Sequence, residues 1–66
     1  MNWAKKCRLL AEKSQSEMAQ ALEMHVNTYI RKEKQEDLFT VGEIKRIAAI
    51  TKSKAEDIFL PDAPQM

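Results

Sequence analysis

Apolar residues recur three and four positions apart along most of this chain. Trp3, Ala4, Cys7, Leu10 and Ala11 share one face of a helix expected over residues 2–13, with Leu9 on the opposite face. Met18, Ala19 and Leu22 repeat the pattern over 15–22, and Val41, Ile44, Ile47 and Ala48 over 41–51. Ala55, Ile58 and Phe59 predict a short last helix over 54–59, stopped by Pro61. Between them, Val26 to Lys34 reads as a helix with Tyr29 turned inward. No stretch alternates with a period of two, Asn-Gly turns are missing and Gly42 is the single glycine, so strands are not expected.

Capping signals sharpen these boundaries. Ser14-Gln15-Ser16-Glu17, Thr40-Val41-Gly42-Glu43 and Ser53-Lys54-Ala55-Glu56 each place a hydroxyl three residues before a glutamate. The hydroxyl can accept from the third helical amide while the carboxylate returns to the cap amide, with negative charge at the positive end of the helix dipole. They predict helix starts near 15, 41 and 54. The expected fold is therefore all-α, five short helices around one core, in a single domain over residues 1–60. Residues 61–66, PDAPQM, hold two prolines and no periodicity, and predict a frayed tail.

Size and composition exclude several functions. A 66-residue chain buries only about 60% of its unfolded surface and is marginally stable alone. With Cys7 and His25 the only residues of their kinds, neither a disulfide nor a structural zinc is expected. Stability must come from close helix packing or a partner subunit. No apolar run reaches membrane-spanning length and MNWAKKCR lacks a signal-peptide core, so a cytoplasmic protein is expected. Cys7 sits on the apolar face of the first helix and reads as a small core residue. No nucleophile–base pair, metal-ligand spacing or paired carboxylates stand out, so neither an enzyme, a cofactor nor a small-molecule ligand is expected.

Net charge is +1, but it is unevenly spread. Residues 1–13 sum to +3 and residues 25–35 to +2, while 14–24 and 36–66 are negative. A nearly neutral chain can thus present one basic face. Residues 14–35, SQSEMAQALEMHVNTYIRKEKQ, read as two short helices and a tight turn, the second helix carrying Asn27, Arg31 and Lys34 outward. That is the form of a helix-turn-helix, which lays its second helix in the DNA major groove.

The run SQSEMAQALEMHVNTYIRKEK followed by FTVGEIKRIAAITKSKAEDIF resembles the lambda repressor/Cro family of helix-turn-helix regulators, especially small phage and mobile-element members. The resemblance covers roughly residues 7–59. It implies a compact five-helix DNA-binding domain, double-stranded DNA as partner, and a homodimer that represses or adjusts transcription. It further implies that Gln15 contacts a phosphate with Ser16 assisting, and that His25, Val26, Asn27, Ile30 and Arg31 face base edges. Thr28 and Lys34 would touch the backbone. The chemistry is sensible in itself: Asn can pair with adenine and Arg with guanine, Val or Ile can pack on a thymine methyl, and lysines and hydroxyls position the helix. His25 suits a loop or phosphate contact better than a metal site.

The chain departs from the family where Glu23 and Gln35 replace common glycines, and where Lys13 and Lys32 replace apolar residues. A left-handed Glu23 would cost on the order of 1 kcal/mol, and both lysines could bury their stems. Simpler roles compete with the sharp ones. Arg31 and Lys34 could form a solvated helix face, and Asn27 could satisfy amides at a helix start. The fold could also be a protein-interaction module, of antitoxin or anti-repressor type, docking on another regulator. Leu9, Phe39 and Phe59-Leu60-Pro61 suggest a two-fold dimer built from the last helix and tail; alternatively Phe39 folds onto the fourth helix and Leu60 onto the first.

Overall fold

The computed structural model describes residues 2–59 and is all-α there. Four α-helices follow in order: α1 (Trp3–Leu10), α2 (Gln15–Ala21), α3 (Val26–Lys34) and α4 (Val41–Phe59), with a 3-10 turn at Glu36–Leu38 between the last two. Helix α2 packs on α3 and α1 packs on α4. The expected frayed tail, and any part Leu60 and Pro61 play in it or in a dimer, lie outside the described residues, as do the side chains of Ile58 and Phe59.

The expected five helices are four, because the fourth and fifth are one continuous helix. Neither glycine nor proline interrupts residues 43–59, and a capping box is only a local preference that continuing backbone hydrogen bonds can override. Ser53 accordingly lies inside α4 instead of starting a helix. Two residues earlier, the Thr51 hydroxyl lies 2.9 Å from the Ile47 carbonyl and 3.4 Å from the Cys7 carbonyl, tying α4 to α1.

The other two capping boxes are closed in both directions. Ser14 Oγ accepts from the Glu17 amide at 3.0 Å while Glu17 accepts from the Ser14 amide at 2.8 Å. Thr40 and Glu43 do the same at 3.1 and 2.9 Å. Helix α1 is capped across the fold. Asn2 accepts from the Lys5 amide and donates to the Glu33 carbonyl at 2.6 Å, and the Glu36 carboxylate accepts from the Ala4 amide at 2.6 Å. These bonds clasp the start of α1 to the end of α3.

The core consists of Ala4, Ala11, Met18, Ala19, Leu22, Tyr29, Phe39 and Ile47. Phe39 lies between Trp3 and Tyr29, with ring centroids 5.6 and 5.9 Å away in tilted geometry; it fills the centre and is not available for assembly. Two expected faces are only partly buried. Leu10 is 57% exposed on α1, and on α4, among the residues whose burial is described, only Ile47 is buried, with Val41 69% and Ile44 39% exposed and Ala48 also at the surface. A core built from three alanines and few large residues is too narrow to cover the whole apolar arc of α4.

Helices α1 and α2 both end in a left-handed glutamate, Glu12 at φ 57° and Glu23 at φ 59°. Only the second was expected. Each carboxylate reaches toward α4, Glu12 to Lys54 at 3.4 Å and Glu23 to Arg46 at 3.6 Å, and Arg46 also donates to the Ala21 carbonyl at the end of α2. Gln35, by contrast, leaves α3 at φ −127°, so a glycine there would gain nothing from left-handed freedom. Glu23→Gly is expected to raise stability by less than about 1 kcal/mol: strain relief of that order is partly offset by glycine's unfolded-state entropy and by the exposed ion pair with Arg46. A urea midpoint measures it, and a lower midpoint would contradict it.

Candidate nucleic-acid interface

Helix α3 starts because His25 caps it. The imidazole Nδ1 accepts from the Asn27 amide at 3.1 Å, which requires that nitrogen to be unprotonated. From there the 3.6-residue repeat divides the side chains. Tyr29 and Glu33 point into the molecule and are buried. Val26, Thr28 and Ile30 are half-buried at the edge, Val26 packing against the core cluster. Asn27, Arg31 and Lys34, spaced four and three apart, form one exposed row. No ion pair involves Arg31 or Lys34 among the described residues.

The positive charge thus concentrates more narrowly than the sequence tally implied. Arg8 and Lys32, which contribute to the two basic segments, are both neutralised. Lys32 Nζ donates to both Glu43 oxygens, at 2.8 and 3.0 Å, linking α3 to the start of α4. Arg8 is buried against Glu33, with Nε 2.8 Å from Oε2 and Nη2 3.3 Å from Oε1. The uncompensated cations of α3 are Arg31 and Lys34.

Glu33 is the hub beneath that row. Besides Arg8 it accepts from the Tyr29 hydroxyl at 2.6 Å and from Gln15 Nε2 at 3.0 Å. Arg8 also donates to the Lys13 carbonyl at 3.1 Å. Among the described residues no buried side-chain polar atom lacks a partner. The network joins α1, the start of α2 and α3, and so sets how the first turn of α2 stands relative to α3. Gln15 is half-buried and holds at least one amide hydrogen inward; its neighbour Ser16 is exposed.

Sequence reasoning did not find this hub. Two signals point to it: Tyr29 and Glu33 are one turn apart on the same face, and Arg8 falls one turn after Ala4 on the buried side of α1. What pattern alone cannot supply is that Arg8 and Glu33, 25 residues apart, meet.

Burial works against the Glu33 carboxylate, but the hydrogen bonds from Arg8, Tyr29 and Gln15 outweigh it and hold its pKa below the ordinary value. At Glu43, Lys32 and Thr40 likewise outweigh burial. At exposed Glu17, the Ser14 cap lowers it directly. Burial first, then donation to Glu33, pushes the Tyr29 hydroxyl above its usual range, and Glu33 raises Arg8. A carboxylate with a lowered folded-state pKa stabilises the fold above its unfolded value and loses that contribution as pH falls through the folded one. Thermal melts are therefore expected to be insensitive to these three groups from neutrality to about pH 5, then to fall below about pH 4.5. A midpoint that rose on acidification would contradict this.

No group of three or more His, Cys, Asp or Glu side chains that could hold a metal occurs among the described residues. A shallow depression of about 300 Å³ lies between the end of α2 and the start of α4, lined by Leu22, Glu23, Thr40, Gly42, Glu43 and Arg46. Its polar lining is occupied by the cap and ion pairs already described. None of the described helices is long and apolar enough to cross a membrane. Comparison of the chain with protein-family models, with curated proteins and with solved structures finds no match in any of the three.

Proposed function

We propose that this protein binds double-stranded DNA in a sequence-dependent way, as a helix-turn-helix transcriptional regulator of the lambda repressor/Cro type that places α3 in the major groove, probes base edges with Asn27 and Arg31, and acts as a homodimeric repressor. The observation that carries this reading is the row Asn27, Arg31, Lys34. It is exposed, cationic and unpaired among the described residues, on a helix held by a four-residue connection (22–25) to α2. A helix of that length presents about two turns to a groove, and Asn and Arg one turn apart suit adenine and guanine edges.

The flanking groups suit backbone contacts. Exposed Ser16 and half-buried Gln15 stand at the capped start of α2, where free amides favour an anion. Thr28 and Lys34 flank the row, and His25 and Val26 open it, with Ile30 at its edge.

Selection of bound duplexes from a random pool, followed by titration of the winner and a scrambled duplex at rising salt, tests the reading. Enrichment of a defined site and a steep loss of affinity with salt are expected, because neutralised phosphates release counterions. A flat salt response, or no shift with any duplex, would sink it. The near-neutral net charge of +1 favours one other reading, a protein-docking module whose α3 face meets another regulator, and that reading predicts the flat response.

A further inference from the structure

The row on α3 leaves two features of the chain without a role: the outward Leu9 and the basic segment over residues 1–13. Both fall on one face of α1. The helical repeat buries Ala4 and Arg8 and turns Lys5, Lys6, Leu9 and Leu10 to solvent. Each leucine is 57% exposed. Lys5 stands one turn before Leu9 and Lys6 one turn before Leu10, so the four side chains form two adjacent lysine–leucine rows.

The charge on this face is not offset by its neighbours. Helix α1 holds no acidic residue, and neither Lys5 nor Lys6 enters an ion pair among the described residues. Glu12, the nearest acid along the chain, lies 3.4 Å from Lys54 of α4. Two side-by-side leucines call for an apolar partner, and the lysines beside them for carboxylates. A second copy of α1 brings two more lysines and no carboxylate. Nucleic acid would satisfy the lysines and leave the leucines facing nothing apolar. A lipid surface gains little from two leucines on a helix of 8 residues.

We infer that the exposed face of α1 docks an acidic amphipathic segment of a partner protein, a helix that carries adjacent apolar residues one turn from paired Asp or Glu. The carboxylates meet Lys5 and Lys6, which steer the approach, and the apolar pair covers Leu9 and Leu10. The face is separate from the Asn27, Arg31, Lys34 row and does not depend on what that row binds. It spans only two turns, below the size of a standard interface, so binding is weak, with a dissociation constant on the order of 100 µM.

Selection from a random library of helical peptides against the full chain, followed by titration of a synthetic winner, tests this. Enriched peptides should carry apolar residues one turn from Asp or Glu. Lys5→Glu with Lys6→Glu should weaken binding at least about tenfold; acids near the start of a helix suit its dipole, so this variant keeps its fold. Exchanging the peptide's acids for lysines should restore binding to that variant. Leu9→Ser with Leu10→Ser should weaken the wild-type peptide as much, with the urea midpoint and the affinity for a selected duplex unchanged. No enriched peptide, enriched peptides without acids, or binding indifferent to either pair of changes overturns the inference. Two control arms name the other occupants. Phosphatidylglycerol vesicles that bind through these four residues while no peptide is enriched overturn it in favour of a lipid surface. A scrambled duplex that alone loses affinity with the lysine changes overturns it in favour of phosphate contacts.

Discussion

Glu33→Ala is expected to destabilise the domain by about 3–5 kcal/mol. The carboxylate is almost completely buried, its side chain 5% exposed beside an Arg8 side chain at 10%. Removing it orphans three donors at once: the Arg8 guanidinium, the Tyr29 hydroxyl and the Gln15 amide. The guanidinium carries most of the loss, because it cannot shed its proton and must either stay charged in the interior or pull α1 open to reach water. A domain of this size has roughly 3–10 kcal/mol in total, so the variant should be largely unfolded at 37 °C. Urea denaturation followed by circular dichroism measures the loss. A companion variant separates the charge from the packing: Arg8→Met with Glu33→Leu replaces the pair with apolar volume, which is often close to neutral. It should recover part of the stability, short of wild type because the Tyr29 hydroxyl is still without its acceptor. If Glu33→Ala cost under about 1 kcal/mol, the value of an exposed pair, the hub would be no more than a surface contact.

Arg31→Ala has the largest expected effect on the proposed activity. It should weaken binding to the selected duplex by about 1–3 kcal/mol and relax the preference at one base pair. Arg31 is exposed, makes no ion pair among the described residues, and stands on the side of α3 opposite Tyr29, so its removal leaves the fold's packing untouched. The urea midpoint should therefore stay at the wild-type value while affinity falls. Parallel titrations of selected and scrambled duplexes distinguish the possible roles. An equal loss on both would make Arg31 a phosphate contact, and no loss on either would return it to a solvated helix face. Lys34→Ala gives the contrast, a smaller loss shared by all duplexes together with a shallower salt slope.

The two variants probe different layers of the same helix. Glu33 and Arg31 are two residues apart, yet the helical repeat sends one to the interior and the other to solvent. The buried layer orients α3 relative to α1 and the start of α2, and the exposed layer is what that orientation presents. Loss of the first should remove folding and binding together, and loss of the second should remove binding alone.

Much of this arrangement was legible from local pattern. The all-α class, the inward Tyr29, the burial of Met18, Ala19 and Leu22 and the outward Leu9 all follow from spacing within a few residues. Such features depend on interactions one helical turn apart, which the sequence displays directly. The continuity of α4 was not legible, because a capping box at Ser53 looks the same whether or not the preceding turn continues through it. Nor was the burial of Arg8, whose neighbours make it look like one more cation of a basic segment.

By itself, then, the sequence determined where helices α1 to α3 begin, which of their residues can share a face, and that Asn27, Arg31 and Lys34 lie in one row. Only the tertiary structure decided which of those faces found a partner. It spent Arg8 on Glu33 and Lys32 on Glu43, moved Phe39 into the core, and left Val41, Ile44 and Ala48 at the surface. The physical reason is that periodicity is a property of one helix, whereas burial and charge neutralisation need two segments brought together from distant parts of the chain.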